Sequence, residues 1–351
     1  MKTILWKGFF EGNTGYINCS KKYPLALEEA GMDVGIVPLR PLSEDNEMKR
    51  LVKQEGSDTF TILHQVPSQF PGHQGYYTVT EFDLPPPEWW IPISKADVLL
   101  TQSKFCKNIF GKIPGIDKDK IHVVNFPIDE TMNPTGEVVL YDKQYDFLFG
   151  SCFEWVARKK PELMWEAFIN EFPIEEYPNV GFINKMSPYP ALRNWKHLYN
   201  KYTYKDSRIH LFKEHLNDIG AFYRSLDCYC SPSAGEGWGA TMSEAMLCGV
   251  PVIGSRHSGN LDFMNDKNSY LVETKKWTHV GNDQTNKISM VYPFQRWKLP
   301  KVSSIQKQMR IVYEESQNGS PKKVQEALKI RKQFSLKVIG QQLKKALEPL
   351  I

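Results

Sequence analysis

Twice along this chain, short apolar runs of strand length alternate with stretches of helix length. That alternation marks parallel α/β domains, because two parallel strands can be joined only by a crossover long enough to be a helix. In the first half the strand candidates are residues 3–6, 34–39, 60–64, 77–81, 98–101 and 122–126. Helices fit between them: residues 16–30 end at Gly31, a C-terminal cap, and 103–110 open on Ser103, an N-cap. Turn residues at Met132-Asn-Pro-Thr-Gly136 then break the pattern. A second series follows at 146–150, 180–183, 209–212, 228–231, 252–254 and 270–272, with helices expected at 161–172 and 216–226. The chain therefore predicts an α/β fold of two doubly wound, Rossmann-like domains facing across a cleft. The N-terminal domain is read as 1–135 and the C-terminal domain as 136–320. Basic helices complete the chain at 321–351, and their return to the N-terminal domain is left open. In such sheets ligands sit beyond the carboxyl ends of the strands, so the loops after each strand carry the interest.

Composition supports this reading. The 351 residues suit two domains of ordinary size, and 41% hydrophobic with 24% charged residues argues against a disordered chain. Mean hydropathy is −0.44. No apolar run approaches the roughly 20 residues that a membrane helix needs. Near the start, Lys7 interrupts the apolar stretch, which reads as a first strand and not as a signal-peptide core. Six scattered cysteines contain no Cys-x-x-Cys pair, so neither a zinc site nor a disulfide framework is signalled, and a reducing cytoplasm is expected.

The most informative segment is 231–246, Ser-Pro-Ser-Ala-Gly-Glu-Gly-Trp-Gly-Ala-Thr-Met-Ser-Glu-Ala-Met. It follows a strand candidate. Gly235, Gly237 and Gly239 permit backbone geometry and close approach that a Cβ forbids. A helix starting near residues 240–242 would turn free amides and a positive dipole end toward an anion such as a diphosphate. Glu236 in the loop and Glu244 in the first turns of that helix suit paired hydroxyls of a sugar or ribose, each carboxylate oxygen accepting one O–H. On spacing alone, a helix with an acidic start stabilised by its dipole remains an equal reading.

Two glutamates in this frame, followed by Glu-Ala-Met-x-x-Gly-Val-Pro-Val-Ile, resemble the signature of glycosyltransferase family 4. That resemblance implies a retaining enzyme of the GT-B fold. It extends to Asp146-Phe-Leu-Phe-Gly-Ser with Arg158, Lys159 and Pro161, and to residues 297–313. It is strong over 145–273 and looser over 1–130. By position, Glu236 is similar to the glutamate that holds the donor sugar and is the catalytic candidate. Glu244 resembles the one that binds the nucleotide ribose. Arg158 and Lys159 resemble the basic pair that neutralises the diphosphate, and Gly237, Trp238, Gly239, Ala240 and Thr241 complete the donor-binding set. The sequence departs from the family where an arginine commonly follows the glycine of the first C-terminal strand: here stands Ser151. The glutamate usual after a Gly-Gly turn is also replaced, near Ser258-Gly-Asn-Leu-Asp262.

In the N-terminal half the acceptor-side candidates are Gly12 and Gly15 in the loop after the first strand, His64 at the end of the third and facing the cleft, and Glu81 at the end of the fourth, although a lone histidine such as His64 is more often structural. No carboxylate pair can be assigned as nucleophile and acid. The family resemblance instead implies a front-face substitution with the donor phosphate as base, no cofactor beyond the nucleotide-sugar co-substrate, and no essential metal. Asp117-Lys-Asp119 spells a metal-binding pattern of another transferase fold but is read as a turn, since no apolar strand precedes it.

Charge is uneven. The net +4 divides into +7 over residues 301–351, where eleven Lys and Arg face four Glu, and −3 over the rest. The basic helices are read either as solvated faces or as a peripheral contact with an anionic membrane carrying a lipid-linked acceptor. Nucleic acid ranks last, for want of a dense aromatic-basic surface. The expected function is transfer of a sugar from a nucleotide-diphosphate donor to a saccharide or glycolipid hydroxyl in glycan or polysaccharide biosynthesis. Three alternatives stand beside it: a phage-type transferase acting on a DNA base, a sugar-nucleotide epimerase or phosphorylase on the same fold, and a non-catalytic sugar-nucleotide or nucleic-acid binder.

Overall fold

Both series of apolar runs form parallel sheets. The computed structural model describes residues 2–12, 15–43, 45–139, 145–186, 195–280, 292, 294–319 and 321–351. The first series gives β1 (Thr3–Gly8), β2 (Val34–Pro38), β3 (Thr59–His64), β4 (Gly75–Tyr77), β5 (Val98–Thr101) and β6 (Ile121–Val123). They pair in the order β2-β1-β3-β4-β5-β6, and a parallel bridge from Ile36 to Val52 extends the sheet beyond β2. The second series gives β7 (Phe147–Phe153), β8 (Val180–Met186), β9 (Ile209–Phe212), β10 (Cys228–Ser231), β11 (Val252–Ser255) and β12 (Tyr270–Val272). Their order is β12-β11-β10-β7-β8-β9. In each sheet the strand order reverses once, between β1 and β3 in the first and between β7 and β10 in the second. Such a reversal leaves a crevice at the carboxyl ends of the two central strands, where doubly wound sheets hold ligands.

The chain divides into two compact units, residues 1–129 with 331–351, and residues 130–330. The C-terminal helix Leu336–Leu347 belongs to the first. It buries Ile339, Leu343 and Leu347, and a Cβ at Gly340 would lie 2.2 Å from the carbonyl oxygen of Ala26 in the helix Gly15–Glu29. Gln342 seals the contact, accepting the Asn125 N–H at 2.9 Å and donating to the Asn125 side chain at 3.1 Å. The apolar stripe seen in the basic tail therefore covers this unit, while Lys337 and Lys345 stay exposed. The second unit's core is aromatic: Phe149, Phe168, Phe172 and Phe182 are fully buried between the sheet and the helices Pro161–Glu171 and Val302–Gln317. Each such side chain stabilises the fold by about 1.5–3 kcal/mol.

Two features differ from the sequence reading. The fourth strand ends at Tyr77, so Glu81 lies in a bend beyond it. Thr80 there serves the turn, its hydroxyl accepting the Phe82 N–H at 3.4 Å. An antiparallel pair, β13 (Thr274–His279) with β14 (Arg296–Pro300), was not foreseen.

Candidate functional site

The strand reversal of the second unit brings together the loops after β7 and β10. The first makes a short turn, Ala157–Lys159, before the helix Pro161–Glu171. The second carries Ser233, Gly235 and Glu236 into the helix Ala240–Leu247. The two loops are tied through the backbone, the Ala234 N–H donating to the Arg158 carbonyl at 2.7 Å.

Across this junction the Glu236 carboxylate accepts from Arg158 Nη1 at 2.8 Å, Lys159 Nζ at 2.5 Å and Ser233 Oγ at 2.6 Å. Glu236 and Lys159 are buried, with side-chain exposures of 6% and 8%, whereas Arg158 retains 21%. Burial alone would raise the Glu236 carboxyl. The positive charges of Arg158 and Lys159, with hydrogen bonds from Lys159 and Ser233, outweigh it and hold the group down at about 2. Glu236 is thus ionised throughout the physiological range. Two cations face one carboxylate, so the cluster keeps a net positive charge with Arg158 as its exposed edge.

Glycine supplies the geometry next to it. Gly239 caps the helix with φ 102°, and a Cβ there would also meet Met242 Cε at 2.6 Å. The helix starts at Ala240, and Glu244 lies in its second turn, accepting from the Tyr223 hydroxyl at 2.7 Å. An acidic first turn is absent, so dipole stabilisation is not what places a glutamate there. The Tyr229 phenol donates to the Cys152 carbonyl at 2.7 Å and accepts from the Thr241 hydroxyl at 2.8 Å, joining the helix start to β7. Trp238 is buried against Phe263 with ring centroids 4.7 Å apart, so it shapes the loop from inside. Ser151, in the place where an arginine was expected, is fully buried and donates to the Cys230 carbonyl, so it offers no cation to this site.

Three contributors were missed in the sequence. Ser233 stands three residues before Glu236, inside the motif itself. Ser258 occupies the altered Gly-Gly turn and accepts the Glu236 N–H at 3.0 Å. Tyr223 carries no signal, since it arrives from the helix Ile219–Arg224 outside the motif. The unforeseen β14 also reaches the site: the Lys298 N–H donates to the Ala234 carbonyl at 3.2 Å, and the Trp297 ring centroid lies 4.5 Å from Lys160 Nζ.

The corresponding reversal in the first unit holds Gly12, Gly15 and His64. Gly12 and Gly15 are exposed, Gly12 with φ 119°, and Gly15 opens the helix Gly15–Glu29. His64, expected to face open space, is instead fully enclosed. Its ring centroid lies 4.4 Å from Tyr16 and 4.6 Å from Tyr77. Its Nδ1 receives the Trp6 indole N–H at 3.2 Å and lies 3.0 Å from the Ser20 hydroxyl. An indole only donates, so Nδ1 is the acceptor and the ring proton sits on Nε2. Burial pushes the imidazole down to about 3. Asp117 caps a single turn by accepting the Asp119 N–H at 3.0 Å. Among the described residues no cluster of three or more His, Cys, Asp or Glu is placed to hold a metal ion, and no helix is long and apolar enough to cross a membrane.

Residues 190–283 match the family model for glycosyl transferases group 1. No curated protein sequence matches the chain. Among solved structures, Anabaena HepE in complex with UDP-glucose superposes with a TM-score of 0.71 at 13% identity, covering 100% of both chains. WaaG, a glycosyltransferase involved in lipopolysaccharide biosynthesis, gives 0.65 at 12% identity over 98% of each chain. A glycosyltransferase from Rickettsia africae gives 0.65 at 13% identity over 99% of each. The fold is GT-B. The Arg158–Lys159–Glu236 cluster and Glu244 lie in its second Rossmann-like unit, the cluster at the strand reversal.

Proposed function

We propose that the chain is a retaining glycosyltransferase that moves a sugar from a nucleoside diphosphate donor to a hydroxyl of a saccharide or lipid-linked acceptor. The observation that carries this is the preformed cluster of Arg158, Lys159 and Glu236 beside the N-terminus of the helix Ala240–Leu247. The match over 190–283 to glycosyl transferases group 1 supports it. A neighbour in complex with UDP-glucose makes UDP-sugars the first donors to try.

Each group then has a task. Arg158 and Lys159, with the free amides at the helix start, take the diphosphate charge that grows as the glycosidic C–O bond breaks. Glu236, held ionised, accepts a hydroxyl of the donor sugar and fixes its ring. Glu244, oriented by Tyr223, accepts the ribose hydroxyls. The anomeric carbon loses its bond to the phosphate oxygen and gains one to the acceptor oxygen on the same face. The acceptor proton passes to the leaving phosphate, so no protein base is required. Positioning and charge stabilisation supply the catalysis. Two side-chain cations and a helix terminus carry the leaving charge, so the reading calls for no essential metal. Cytoplasmic location, with the basic C-terminal helices touching an anionic membrane, completes the proposal.

A panel of UDP-, GDP-, ADP- and dTDP-sugars in thermal shift identifies the donor, because a ligand that binds the folded state raises the unfolding midpoint. Arg158→Gln leaves the buried Lys159–Glu236 pair intact and should weaken nucleoside diphosphate affinity about tenfold or more by calorimetry. Unchanged affinity removes the phosphate role. An inverted anomeric centre in the product removes retention.

A further inference from the structure

Among the described residues only two other than glycine have a positive φ, Lys160 at 49° and Ser258 at 77°. Both border the Glu236 cluster. Lys160 directly follows Lys159, and its ammonium lies over Trp297. Ser258 combines its φ with ψ −161°, a region almost confined to glycine. Glycine would adopt it freely, and the next residue, Gly259, is one. A serine kept in this conformation needs an offsetting interaction, and its hydroxyl supplies several. It accepts the Glu236 N–H at 3.0 Å and donates to the His257 carbonyl, with Asn260 Oδ1 at 3.1 Å as a second acceptor. Asn260 is itself fixed, donating to the Ser255 carbonyl at 2.8 Å. One residue on, the Gly259 N–H donates to the Glu236 carbonyl at 2.9 Å.

Residues 258 and 259 therefore hold both backbone groups of Glu236, one through a side chain and one through the main chain. The carboxylate is separately fixed by Arg158, Lys159 and Ser233. A carboxylate that must hold a sugar in one orientation needs its backbone fixed as well as its charge, because a displacement of about 1 Å at a reacting centre costs roughly 100-fold in rate.

We propose that Ser258 is a positioning residue for Glu236, its hydroxyl trading backbone strain for a fixed Glu236 amide; its kinetic consequence rests on the transferase reading. Ser258→Gly relieves the strain and loses the hydroxyl. Ser258→Ala keeps the strain and loses the hydroxyl. Both variants should lower the turnover number at saturating donor about tenfold, the equivalent of one lost hydrogen bond, with donor KM moving less than about threefold. Their thermal midpoints should separate, Ser258→Gly at or above wild type and Ser258→Ala below it. A residue that only supports the fold would make turnover follow the midpoint, leaving Ser258→Gly near wild type. That result overturns the proposal. Amide hydrogen exchange at Glu236, read without any donor, should be about tenfold faster in both variants. Unchanged exchange overturns it too. If the wild type turns over no donor, the transferase reading fails, and the exchange at Glu236 still decides whether Ser258 holds that amide.

Discussion

The two units use the same topological position in opposite ways. Between β7 and β10 the loops bury a charge: Glu236 is held ionised at about 2 by two cations and a serine. Between β1 and β3 the corresponding space buries a neutral ring: His64 is held uncharged, its imidazole down at about 3, inside Trp6, Tyr16, Tyr23 and Tyr77. A buried ion is tolerable only when its partners are in place, so the second site must be fully assembled before any ligand arrives. A buried neutral ring carries no charge to offset: its Nδ1 is paired, and its Nε2–H has no hydrogen-bond partner among the described residues. The second unit thus holds an assembled charged cluster, and the first is packed around its crevice, with Gly12 and Gly15 exposed among the described residues at the helix start.

The most severe way to break this contrast is to remove the charge on Glu236. Glu236→Gln leaves Lys159 and Arg158 without their anion, and breaking one side of a buried pair costs about 3–5 kcal/mol of unfolding free energy. Turnover should fall at least about 100-fold if the carboxylate acts in the transition state. Denaturant unfolding and donor turnover are the measurements, and wild-type stability in the variant would show that the cluster is not energetically coupled. The pH dependence has a definite sign. The carboxyl is lowered from an ordinary 4.5 to about 2, so its contribution is whole above pH 4.5 and is lost as pH falls through about 2.

The second test sharpens the contrast from the other unit. His64 is lowered from 6.5 to about 3, so below pH 6.5 the unfolded chain binds a proton that the folded chain refuses. Stability should fall with decreasing pH across that window by up to about 1.4 kcal/mol per unit from this residue. His257, lowered to about 4 by burial and by Lys298, acts with the same sign, as do His73, His122 and His210, each lowered chiefly by burial, so the wild-type slope contains all five. His64→Gln should remove one share of the slope. Between about pH 5.5 and 6.5 Glu236 is almost wholly ionised in both states and contributes little slope, which separates the two sites. Equal slopes in wild type and His64→Gln would mean that the ring is solvated.

The same difference explains what could be read in advance. Parallel strands were legible because alternation of apolar runs and helix-length crossovers leaves few alternatives, and the carboxyl-end loops followed from topology. Glu236, Arg158 and Lys159 were legible through the resemblance of their segments to a family motif, since spacing alone left a helix with an acidic start as an equal reading. That the cations would meet the carboxylate directly was not, because 77 residues separate Lys159 from Glu236 and only the β7–β10 pairing closes that gap. His64 stayed open between a structural and a cleft-facing reading because a histidine at a strand end looks the same whether it points outward or into Trp6 and three tyrosines. Tyr223 carries an ordinary sequence context, and Ser258 showed only as an altered Gly-Gly turn; their contacts come from tertiary geometry that no spacing rule encodes. The β13–β14 pair escaped because β13 is mostly exposed and lacks an apolar alternation, and β14 is only five residues long.

The smallest effect is expected where the sequence offers a metal motif and the fold offers a cap. Asp117 accepts the Asp119 N–H and so closes a turn in the first unit between β5 and β6. It is a local motif of the kind aspartate favours in any loop. In the proposed reading the cluster in the second unit sets two cations and a helix start against the leaving phosphate, so that chemistry has no unmet charge for a divalent ion to balance. Asp117→Asn combined with Asp119→Asn should leave donor turnover within about twofold of wild type, and the stability change should stay near the 0.5 kcal/mol typical of exposed sites. Chelation with EDTA should likewise leave turnover unchanged. Loss of turnover on chelation, restored by a divalent cation and abolished by the double variant, would move the leaving-group charge away from Arg158 and Lys159. The contrast between a charged unit and a neutral one would then no longer hold.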